Sequence, residues 1–115
     1  MHSISHKDFA CLLNMLDAIN KIQVYSGKFN NADDFYGDNI SFDATMMNFI
    51  VIGEMVDKLT DMFLEKTYGK IDWNKVKGFR NIIAHNYFGI DAEEVWQIIR
   101  TRIPELKAEI EILIK

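Results

Sequence analysis

Apolar residues recur at helical spacing from one end of this chain to the other, and that single period restricts it to an all-α fold. Phe9, Leu12, Leu13, Leu16, Ile19 and Ile22 form a first such series, and Ser5 with Asp8 three residues on is a helix start signal. The first helix should run to about Tyr25. Turn formers fill residues 26 to 31, and a short helical turn is expected around Ala32 to Tyr36 before Gly37. A long helix is then predicted from about Ser41 or Asp43 to Tyr68, ended by Gly69. Its apolar stripe, which includes Met46, Met47, Phe49, Ile50, Ile52, Met55 and Val56, is wider than one intrachain contact needs, which suggests contact with a second subunit. Gly53 in mid-helix is costly by about 1 kcal/mol relative to Ala, so a close helix crossing is expected there.

Asp72 should cap a third helix from Trp73 to about His85. Asp91 with Glu94 is a capping-box pattern that opens a fourth, and Pro104, preceded by Ile103, should start a last one. The β-branched residues all fall on helical spacing, so no strand is expected. The expected architecture is an up-and-down bundle of four to five helices that forms a two-fold dimer, with residues 1–115 as one domain. At 115 residues, 49% of them apolar, the chain can build one core and would bury more by dimerising.

With one cysteine, Cys11, on an apolar helical pattern, neither a disulfide framework nor a thiolate metal site is expected. His2 and His6 lack partners at ligand spacing, so no metal and no cofactor is expected. The N-terminal residues show no export signal and no run approaches a membrane span, which points to a soluble cytoplasmic protein with no membrane partner. A net charge of −4 argues against a nonspecific nucleic-acid coat. The charge is uneven, however: residues 31 to 43 carry Asp33, Asp34, Asp38 and Asp43 with no basic residue. Residues 66 to 80 carry Lys66, Lys70, Lys75, Lys77 and Arg80 against Asp72 alone.

That basic segment leads into Arg80-Asn81-Ile82-Ile83-Ala84-His85-Asn86-Tyr87, where the phosphate chemistry of the chain is concentrated. Arginine presents a planar fork that fits a phosphate, and histidine can take or give a proton at neutral pH. At about 100° per residue, with Arg80 at zero, Asn81 lies near 100° and His85 near 140° on one polar arc, while Ile82 and Ile83 face away. Tyr87 would fall beside Arg80 if the helix continued. Plain readings stand next to this one. A histidine near a helix end often bonds a carbonyl there, Arg80 could pair with a carboxylate such as Glu54, and Tyr87 could be an ordinary half-buried tyrosine.

The pattern Arg-x4-His-x-Tyr followed by Phe88-Gly89-Ile90-Asp91 resembles the signature of the HEPN superfamily, specifically its HepT-like toxin branch. The flanking Ile52-Gly53-Glu54, Ile71-Asp72-Trp73 and Phe79-Arg80-Asn81 match in order as well, so the resemblance covers nearly the whole chain. It implies a helical bundle that dimerises around a shared cleft and a metal-independent RNase toxin of a type VII toxin–antitoxin pair, acting on RNA such as tRNA or mRNA. It also implies that Arg80 and His85 are catalytic, that Asn81 supports them, and that Tyr87 accepts adenylyl groups from a cognate minimal nucleotidyltransferase antitoxin. The alternative is a noncatalytic helical dimer that binds a nucleotide or a partner protein.

Overall fold

Ser5 caps the first helix as its sequence requires: its Oγ accepts the Asp8 backbone N–H at 3.1 Å, and α1 runs His6–Ser26. The computed structural model describes residues 4–81, 83–84 and 91–115. Among these residues every regular element is helical. After α1 come α2 (Ala32–Gly37), α3 (Asn39–Lys58), α4 (Asp61–Thr67), α5 (Trp73–Lys77), α6 (Ala92–Gln97), a π-helical turn (Ile98–Arg102) and α7 (Ile103–Leu113).

The core is built around α1 and α3. They run antiparallel, since Asp8 near the start of α1 bonds Thr60 just beyond α3, and Asn14 reaches Met55. Leu12, Met15, Ile19 and Ile22 from α1 meet Phe42, Met46, Phe49 and Ile52 from α3, all of them buried. Phe35 of α2 is fully buried between Phe42 and Trp96, with ring centroids 5.3 and 5.6 Å away, so this short helix fastens α6 to α3. The inward stripe of α1 is rotated from the expected one: Phe9 and Leu13 are exposed while Cys11, Met15 and Ala18 are buried. Periodicity gave the apolar arc, but α3 decided which edge of it is covered.

Two boundaries around α3 differ from expectation. Asp38, not a residue at 41 or 43, precedes α3, and its carboxylate accepts the Ser41 N–H at 3.0 Å. The expected long helix to Tyr68 is broken at Leu59 and Thr60, whose backbones are extended. The cause lies in Asp8, which is 3% exposed and accepts both the Thr60 N–H (2.8 Å) and the Thr60 hydroxyl (2.7 Å). Thr60 Oγ1 in turn accepts the Phe63 N–H, so one threonine ends α3 under the pull of α1 and caps α4.

The last helix starts at Ile103 with Pro104 in its first turn, as expected, but without a break from the helix before it. Ala92 to Leu113 is one helical run, and the π turn carries it into Pro104, with the Ile103 N–H bonded to the Ile98 carbonyl. Proline lacks an N–H and its ring clashes with a carbonyl one turn back, and a wider i→i+5 turn relieves both problems. The Asp91 cap is as expected, its carboxylate accepting the Glu94 N–H at 3.1 Å.

Candidate functional site

The segment that carries Arg80 is fixed from both directions. Upstream, Asp72 caps α5, and the buried Trp73 donates its indole N–H to Thr67 Oγ1 at 2.8 Å, tying the start of α5 to the end of α4. The expected helix from Trp73 to His85 is interrupted at Gly78: α5 closes at Lys77 and helix resumes at residues 79–81. Downstream of that turn, Phe79 packs edge-on against Phe49 of α3, 5.7 Å between ring centroids. Phe49 and Gly53 lie four residues apart on one face of α3. With Phe79 seated on the first, Arg80 crosses the second.

Arg80 reaches over α3 to two carboxylates. Nη1 donates to Glu54 Oε1, and Nη2 donates to Asp57 Oδ2 at 3.1 Å. Asp57 Oδ1 takes Lys77 Nζ at 2.8 Å. Two acids three apart on α3 therefore face two bases three apart on the other segment, and each pair cancels the repulsion within the other. The Lys77 hydrogen bond, with burial opposing and the Arg80 charge adding, holds the Asp57 carboxyl below its usual range. Glu54 was foreseeable as a partner for Arg80. Asp57 and Lys77 were missed, and the signal was there: the 54/57 spacing places two acids on one face of α3, and Lys77 and Arg80 repeat the same spacing with the opposite charge.

The Arg80 side chain is 33% exposed and stands at the edge of a recess of about 740 Å³. Asp43, Met46, Met47, Ile50, Asn81, Ile83 and Ala84 line the rest. As the helical arc required, Ile83 is buried while Asn81 and Ala84 are exposed. Along the same side α3 displays Ile40, Met47 and Ile50, which are 85%, 60% and 37% exposed. Asp57 and Lys77 also line a second recess, of about 610 Å³, with Tyr68, Trp73 and Asn74, so the ion-pair network lies between two concavities.

Of the four expected site residues, Arg80 and Asn81 share the larger recess. His85 and Tyr87 lie outside the described residues. Cys11 is buried, and burial together with the nearby Asp8 charge pushes its thiol up, which removes it as a nucleophile near neutral pH. No helix among the described residues is long and apolar enough to cross a membrane.

A family model described as Ribonuclease HepT-like matches residues 15–113. A protein of Methanocaldococcus jannaschii provisionally named an RNase is 30% identical over 104 residues, 90% of this chain and 94% of that one. A longer protein of the same organism, named as a gamma-glutamylcyclotransferase and provisional RNase, is 35% identical over 105 residues, and the chain spans only 46% of its length. A Thermococcus cleftensis protein provisionally named ribonuclease HepT is 29% identical over 111 residues, 96% of this chain and 97% of that one. No solved structure matches the chain significantly. A match over most of the chain, on top of an all-helical fold that presents Arg80 and Asn81 in one recess, establishes that this protein belongs to the HepT-like ribonuclease family.

Proposed function

We propose that this protein is the ribonuclease toxin of a type VII toxin–antitoxin pair and cleaves RNA without a metal. The observation that carries the reading is Arg80, part-exposed at the rim of an open recess within a chain that matches the HepT-like model. In the proposed reaction the ribose 2′-oxygen bonds to the adjacent phosphorus as the bond from phosphorus to the 5′-oxygen breaks. One group removes the 2′-proton and another protonates the leaving oxygen, leaving a 2′,3′-cyclic phosphate and a 5′-hydroxyl. Arg80 meets the negative charge carried by the nonbridging phosphate oxygens, His85 serves a proton role, and Asn81 holds a phosphate oxygen. Incubating the purified protein with total RNA, including tRNA and mRNA, in excess chelator should yield cyclic-phosphate ends. Intact RNA in chelator but cleaved RNA on adding a divalent cation would overturn metal independence.

One histidine cannot be base and acid at once in a concerted displacement, so a complete site is proposed to take His85 from each of two subunits. The exposed Ile40, Met47 and Ile50 on α3 supply an apolar face for that contact, continuous with the recess. Light scattering should find a dimer at micromolar concentration, and Met47→Lys should shift it toward monomer by burying an unpaired charge.

Silencing is proposed to occur at Tyr87, by transfer of AMP from a cognate minimal nucleotidyltransferase. A phosphodiester attached two residues beyond His85 would compete for the Arg80 guanidinium. Co-expression with the nucleotidyltransferase should raise the intact mass by one or more AMP units, and Tyr87→Phe should abolish the rise. Unchanged modification of Tyr87→Phe would move the acceptor elsewhere.

A second reading draws on the same geometry. Arg80 already has two carboxylate partners, which suits a noncatalytic helical dimer in which it is a structural ion pair and the recess holds a nucleotide or a partner protein. The RNA assay separates the two.

A further inference from the structure

The backbone of Gly53 is ordinary right-handed helix inside α3, so its conformation does not demand glycine. Glycine is a poor helix former, which leaves space as the reason for it. A Cβ at this position would stand 2.7 Å from Arg80 Cγ and 3.1 Å from Cδ. Those carbons belong to the middle of the arginine stem, and they cannot retreat from a methyl group without carrying the guanidinium with them. The next residue of α3 is Glu54, and one turn on is Asp57, the two carboxylates that hold that guanidinium.

We propose that Gly53 is a positioning residue for Arg80. It leaves a gap in the side-chain surface of α3 through which the stem crosses, and the crossing point sets the guanidinium against Glu54 and Asp57 at the rim of the recess. This rests on the reading of Arg80 as the catalytic cation. A methyl group in the gap displaces the stem by an ångström or so, and a misplacement of about 1 Å can cost about 10²-fold in rate.

The test compares wild type, Gly53→Ala, Arg80→Ala and the double variant by thermal unfolding and by RNA cleavage. Once Arg80 is truncated the gap is empty, so Gly53→Ala should raise Tm by about 4 °C through helix propensity. With Arg80 present, that gain should vanish or become a loss. Gly53→Ala should cleave RNA with kcat down about 10²-fold and KM within about twofold, because the fold and the other cations are unchanged. An equal rise in Tm in both backgrounds would overturn the steric coupling, and wild-type kcat in Gly53→Ala would overturn the positioning role. If Gly53→Ala fails to fold, folding of the double variant supports the proposal and its failure overturns it. Full activity of Arg80→Ala would remove the catalytic reading beneath the proposal, while the Tm comparison would still decide whether Gly53 and Arg80 compete for one space.

Discussion

Arg80→Ala should lower RNA cleavage by about 10²- to 10³-fold, and His85→Ala by about 10²- to 10⁴-fold, with the helical fold retained in both. The arginine effect has two sources. Truncation removes the fork that would bind the phosphate, and it changes the charge of the site as well. Glu54 and Asp57 are balanced by Lys77 and Arg80; without Arg80, two carboxylates face one lysine and the rim turns net negative where RNA must approach. Arg80→Lys keeps the charge and loses the bidentate geometry, so it should fall between wild type and alanine. Stability should change little, because ion pairs between side chains exposed to this degree contribute roughly 0–1 kcal/mol. The measurement is cleavage rate on one defined RNA, with circular dichroism as the control for folding. Cleavage by Arg80→Ala or His85→Ala at the wild-type rate would refute the proposed mechanism.

Asp8→Asn should destabilise the protein by about 2 kcal/mol near neutral pH, or about 8 °C in Tm, although Asp8 sits in neither recess lining the ion-pair network. Its carboxylate is buried and accepts the Thr60 N–H, the Thr60 hydroxyl and the Ser5 hydroxyl. Burial by itself would raise the Asp8 pKa; the two Thr60 bonds, the Ser5 bond and the Lys7 charge outweigh it and leave the group below the usual carboxylate range. A depressed native pKa means stability that is fully present above the unfolded-state value, near 4, and is lost as pH falls through the native one. The gap between wild type and Asp8→Asn should therefore be widest at neutral pH and close as pH drops below about 4. Denaturant unfolding across that range checks it, and a gap that stays constant with pH would show that the charge of Asp8 contributes nothing.

The sequence by itself determined the helical class, the starts of α1, α5 and α6 and the residues that form one rim of the recess. Those are local matters. Ser5, Asp72 and Asp91 each bond a backbone N–H three residues on, and Arg80, Asn81 and Ile83 take their faces from the helical period alone. The HepT-like resemblance was equally legible, since it rests on a short motif and its flanks.

Only the tertiary structure decided the rest, because the deciding partners are far apart in the chain. Asp8 ends α3 across 52 residues, a partner that nothing near Thr60 identifies. Arg80 meets Glu54 across 26 residues, and the use of Gly53 shows only when that arginine is seen to cross it. Which edge of α1 is buried was likewise settled by where α3 lies against it, since an apolar arc this wide admits more than one packing and only contact with a second helix selects among them.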